Sequence, residues 1–136
     1  GKAASVAEKM SAIDPAEGFF EQAELSQKQQ QFQLAESQLK KSVALGPNEP
    51  GHLVALAKLL ATEGLAAQSD AAFRKAEKAS PNSPEVLFAF ADTLIKEKRN
   101  PREAKALLRK YLNAPITAND PPRQEAFNLL KQVNGA

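Results

Sequence analysis

The chain has 136 residues, and its 18 Lys and Arg against 16 Asp and Glu leave a net charge of only +2. So small an excess excludes a partner held by bulk electrostatics alone, such as nucleic acid or an anionic membrane. No cysteine and a single histidine remove a disulfide framework, a thiol nucleophile and the commonest metal-ligand sets, and no apolar run approaches the roughly 20 residues of a bilayer-spanning helix.

In chain order, Ala3, Ala7, Met10 and Ile13 form a short helical stripe that ends at Asp14 and Pro15. We read residues 1–15 as an N-terminal helix, the second half of a truncated repeat. Together with a start at Gly1 instead of a methionine, this points to a piece excised from a longer protein. The compartment stays open: cytoplasmic, or extracytoplasmic if an upstream signal was removed.

Residues 16–49 come next. Phe19 and Ala23 open a first helix whose other apolar positions are taken by Gln22 and Ser26, and Phe32, Ala35, Leu39, Ser42 and Val43 mark a second. Between them, Gln27, Gln29, Gln30, Gln31 and Gln33 read as a polar hairpin turn. The first helix should pack least tightly.

Residues 50–83 repeat the plan more cleanly. Leu53, Leu56, Ala57 and Leu60 share one helical stripe, Gly64 turns the chain, and Leu65, Ser69, Ala72, Phe73 and Ala76 make the second helix, closed by Ser80 and Pro81. Residues 84–117 follow with Leu87, Phe90, Ala91 and Leu94, then Ala104, Leu107, Leu108, Tyr111 and Leu112. Asn100 before Pro101 reads as an N-cap with a first-turn proline, and one extra residue sits in this turn. Residues 118–136 supply a capping helix through Ala126, Leu129, Leu130 and Val133.

Shifting the chain by 34 residues lays Phe19 on Leu53 on Leu87, Ala23 on Ala57 on Ala91, and Pro47 on Pro81. In this register the chain resembles the tetratricopeptide repeat family, whose period is about 34 residues and whose unit is a helical hairpin. Small side chains stand where the helices cross (Ala23, Ala35 and Ser42; Ala57, Ser69 and Ala76; Ala91 and Ala104), but Tyr111 occupies the last such position and Pro115 comes early. The resemblance implies one all-α domain, a right-handed α-solenoid of antiparallel hairpins with about eight helices.

It also implies a site. In this family the first helix of each pair lines a concave face, so Phe20, Val54 and Phe88 would form an apolar stripe, with Glu24, Lys58 and Asp92 beside it. Gln27, Ala61 and Ile95, with Lys28, Thr62 and Lys96, would form the upper wall. Such a groove suits an amphipathic helix or extended peptide. Phe20 and Glu24 replace the Lys and Asn with which one subfamily grips the acidic tails of heat-shock chaperones, so that ligand is not expected.

Other candidates are weaker. Lys40 and Lys41, Arg74 and Lys75, and Arg109 and Lys110 recur late in the second helices, where the helix dipole favours cations. The basic stretch from Lys96 to Lys110 lacks interleaved stacking aromatics, so a solvated face is expected there in place of a nucleic-acid surface. His52 has no acidic residue at a spacing that would orient it. Glu21 and Glu24 share a helix face with nothing to separate their acidities, and no phosphate loop or nucleophile motif is present.

The sequence therefore points to a non-catalytic scaffold for a protein or peptide partner, with no cofactor and no metal. The alternative is a structural or oligomerising segment of a longer repeat protein, self-associating through its N-terminal face; an enzyme is the distant third.

Overall fold

The computed structural model describes residues 14–134, so the expected helix at 1–15 lies almost wholly outside the described residues. Within them are seven helices and no strand: α1 (Pro15–Lys28), α2 (Phe32–Leu45), α3 (Pro50–Thr62), α4 (Ala66–Ala79), α5 (Pro84–Lys96), α6 (Pro101–Leu112) and α7 (Arg123–Asn134). Pro15, Pro50, Pro84 and Pro101 each open a helix, where the missing N–H costs nothing and the fixed φ is already helical. Asp14 adds a side-chain cap, accepting from the Glu17 N–H at 3.3 Å. Asn100 stands at the cap position of α6 but does not cap with its side chain; it is left-handed at φ 47°, and its amide donates to Glu103 instead.

The three hairpin turns are built alike. In each, a backbone N–H just past the helix reaches a carbonyl deep in the last turn: Gln31 to Ser26, Leu65 to Leu60, Arg99 to Leu94. The residue before that donor is left-handed, namely Gln30, Gly64 and Lys98, as such a helix stop requires. Asn100 is the extra residue expected in the third turn.

Helices pair as α1 with α2, α3 with α4 and α5 with α6, and successive hairpins stack, with α7 closing the far end over α5 and α6. The crossings are close because small side chains line them. Ala23, Ala57 and Ala91 are fully buried, as are Ala35, Ser69 and Ala104. The hydroxyls are satisfied across the hairpins: Ser69 donates to the Ala57 carbonyl at 2.8 Å and Ser42 to that of Ala16 at 2.7 Å. Two residues placed in the apolar stripes lie exposed instead, Phe32 and Leu65. Phe32 is the first residue of α2 and Leu65 the cap residue just before α4, so both stand where the chain leaves its hairpin turn.

Tyr111 explains the irregular closing end. Its ring is buried against Phe88, with centroids 5.1 Å apart, and its hydroxyl donates to the carbonyl of Pro121. Burial, then Asp120 and Glu125, push this phenol above its ordinary range. Arg123 completes the cap by donating to the carbonyls of Leu112 and Ala114 at the end of α6.

Candidate functional site

The first helices are not evenly stacked. α3 packs along α5, whereas α1 meets α3 closely only near their N-terminal ends, where His52 reaches Phe20 and Glu17. The residues explain it: Leu56, Leu60, Phe90 and Leu94 are buried on α3 and α5, but the corresponding positions of α1 carry Gln22 and Ser26, and Ser26 turns to Gln38 of α2, donating at 2.7 Å. Without large apolar side chains to bury at positions 22 and 26, this part of α1 has little to draw it onto α3.

The space left is a cleft of about 370 Å³. Phe20, Ala23, Glu24 and Gln27 of α1 form one wall, Val54, Ala55, Lys58, Leu59 and Thr62 of α3 the other, and Phe32 and Leu39 of α2 contribute further apolar lining. Glu85 reaches in at the Gly51 end, where a Cβ on Gly51 would lie 3.4 Å from its carboxylate. A second hollow continues along the same face between α3 and α5, lined by Lys58, Ala61, Thr62, Asp92, Thr93, Lys96 and Glu97. Lys58 and Thr62 border both.

Eight of the ten residues assigned to a groove by sequence therefore gather along this face. Glu24 and Lys58 are exposed on the rim, Phe20 is half-buried, and Val54 is buried. Lys96 pairs with Asp92 at 2.9 Å. The structure separates the other two. Phe88 packs on Tyr111, and Ile95 lies in a different apolar notch with Pro101 and Val133, against the capping helix.

His52 corrects the sequence reading. It is buried, it stacks on Phe20 with centroids 4.9 Å apart, and its Nε2 lies 3.2 Å from a carboxylate oxygen of Glu17. That partner is invisible to local spacing because it sits on the preceding hairpin. Nδ1 is buried without a hydrogen-bond partner, so His52 is a packing residue of the seam, not part of the open cleft. Sequence reasoning missed several lining residues, among them Leu39, Ala55, Leu59, Glu85 and Phe32, of which Phe32 is the large apolar one beside the turn. Its place at the start of α2, just after the turn, was the available signal.

The recurrent basic pairs are partly structural. Lys40 pairs with Glu36 at 2.7 Å, Lys41 lies over the Phe19 ring, and Arg74 makes a two-pronged contact with Glu103 while covering Phe90. Lys75, Arg109 and Lys110 are exposed. Glu21 departs from expectation: partial burial, then Glu24 and Glu17, raise it above the ordinary carboxylate range. Among the described residues, no group of three or more His, Asp or Glu is placed to hold a metal ion, and no helix is long and apolar enough to cross a membrane.

The geometry has relatives among solved structures. One comes from a functional characterization of Pseudomonas aeruginosa pilF; it superposes with a TM-score of 0.74 at 23% identity, covering 88% of this chain and 52% of that one. The chain thus spans about half the length of that relative. Another is the Yersinia enterocolitica type III secretion chaperone SycD in complex with a peptide of the translocator YopD, with a TM-score of 0.72 at 15% identity over 89% of this chain and 93% of that one. The fold is a tetratricopeptide-like solenoid. No family model matches the chain, and no curated protein does.

Proposed function

We propose that the tetratricopeptide-like solenoid is a non-catalytic protein-binding scaffold that receives a peptide or short helix of a partner protein along the face of α1, α3 and α5. The observation that carries this reading is the open cleft between α1 and α3. Its apolar lining, from Phe20, Phe32, Leu39, Val54 and Leu59, suits one large apolar side chain, and the rim charges Glu24 and Lys58 suit a polar flank. Mixed rim charge disfavours a polyanion.

The SycD structure, with its bound peptide, supports the reading through a shared fold. A stack whose groove is already formed leaves most of the ordering cost with the partner segment, which is where preorganisation gains affinity.

The test is selection of peptides from a displayed random library on the wild-type chain, followed by binding to Lys58→Glu and Thr62→Trp variants. Both residues are exposed, so the melting temperature should hold while affinity falls about tenfold or more, a loss of at least about 1.4 kcal/mol. Peptides that bind both variants as well as wild type would overturn the proposal.

A further inference from the structure

Five large hydrophobic side chains are exposed among the described residues, and three of them, Phe32, Leu34 and Leu65, gather at one edge where the first two hairpin turns meet. They line an open hollow of about 1090 Å³ with Gln30, Gln31, Gln33, Glu36 and Glu63. This edge is distinct from the cleft; only Phe32 borders both. An apolar cluster left in water on one rim of an otherwise well-buried stack is a mark of an interaction surface.

The charges at this edge decide what would cover it. Glu36 and Glu63 come from different hairpins yet stand within hydrogen-bonding reach of each other. Lys40 is the cation beside them, paired with Glu36 at 2.7 Å. Both charged residues that line the hollow are carboxylates, with Lys40 and Lys41 on its outer border, in a chain whose net charge is positive. Burial and Glu36 raise Glu63 above the ordinary carboxylate range, while Lys40 and then Glu63 lower Glu36. A guanidinium or ammonium placed there would donate charge-assisted hydrogen bonds to both carboxylates, each of which can accept several. An anionic lipid surface or a nucleic acid would be repelled.

We propose that this edge docks a basic amphipathic protein segment, one whose Arg or Lys seats between Glu36 and Glu63 while its apolar neighbours cover Phe32, Leu34 and Leu65. The site adjoins the α1–α3 cleft through Phe32 alone and shares no other lining residue with it. The glutamines at the turn supply further donors and acceptors for the segment's backbone.

The experiment titrates the isotope-labelled chain with a synthetic peptide of alternating Leu and Arg, and with its twin carrying Glu in place of Arg, while following backbone amide resonances. The Leu/Arg peptide should shift resonances clustered at Phe32, Leu34, Glu36, Glu63 and Leu65, and the twin should not. The double variant Glu36→Gln with Glu63→Gln, and separately Leu34→Ser, should weaken binding about tenfold, with melting temperatures showing that each is folded. Lys58→Glu should bind the peptide as wild type does. No binding, shifts scattered over the surface, equal response to both peptides, full binding by the double variant, or a loss confined to Lys58→Glu would each overturn the proposal. The last outcome would place the peptide in the cleft, and failure of the cleft peptides above leaves the edge measurement unaffected.

Discussion

The rings of Phe73 and Phe90 lie face to face across the seam between the second and third hairpins, with centroids 4.7 Å apart and planes within 9°. Both are fully buried, and the Arg74 guanidinium sits 5.5 Å from the Phe90 centroid while gripping Glu103. Stacked pairs contribute about 0.5 to 1.5 kcal/mol beyond their area. Phe73→Leu and Phe90→Leu should each destabilise the chain, and a double-mutant cycle from urea unfolding should show a coupling energy in that range. Additivity of the two would count against a stabilising stack.

The same seam is clasped at its edge by Arg99, which donates two bonds to Asp70, at 2.8 and 3.0 Å, and also contacts Glu97. These groups are about three-quarters shielded from solvent, so the pair should be worth more than the usual exposed pair of about 0.2 to 1 kcal/mol. Asp70→Asn should lower the melting temperature more than Glu103→Gln does, since Arg74, the partner of Glu103, is 52% exposed. The gap should persist in high salt, which screens the exposed pair more than the shielded one.

Three turns demand a left-handed residue, and only one uses glycine. Gly64 adopts φ 80° with open space around it, while Gln30 and Lys98 hold φ 61° and 54°. Lys98→Gly and Gln30→Gly should each stabilise the chain by about 0.5 to 1 kcal/mol, and Gly64→Ala should cost about 1 kcal/mol through the backbone alone. Thermal melts of the three variants check both signs.

Glu63 makes stability depend on pH in a definite direction. Burial first, then its hydrogen bond with Glu36, raise its folded value above the ordinary 4.5. Its proton therefore stabilises the fold below the unfolded value, and that contribution is lost as pH rises through the raised folded value. In the Glu63→Gln variant, the side-chain amide would donate to Glu36 at every pH. That variant should match wild type near about pH 4 and melt higher than it at neutral pH; a difference that shrinks on raising the pH would contradict the pairing.

Finally, Ala91→Phe should overpack the crossing of α5 and cost about 1 to 3 kcal/mol, because Ala91 is fully buried at a repeat position that also holds Ala23 and Ala57. A melting temperature equal to wild type would mean that the crossing register is wrong.

Much of the architecture could be read from residue order alone. Leu53, Leu56, Ala57 and Leu60 announce α3 through their own spacing, Pro101 after Asn100 marks a helix start, and the small residues at 23, 57 and 91 mark the crossings. These signals are legible because helical periodicity, turn chemistry and hairpin register depend on residues close together in the chain or on one repeat length. What only the folded molecule decided is how neighbouring hairpins lean on each other. The gap between α1 and α3, the meeting of His52 with Glu17, the pairing of Glu36 with Glu63 and the turning of Phe88 and Ile95 toward the closing end all arise between elements far apart in sequence. Polar Gln22 and Ser26 hinted at a loosened first helix, but whether the missing apolar contact would collapse or stay open depends on the competing pull of every other packed face, which no local pattern contains.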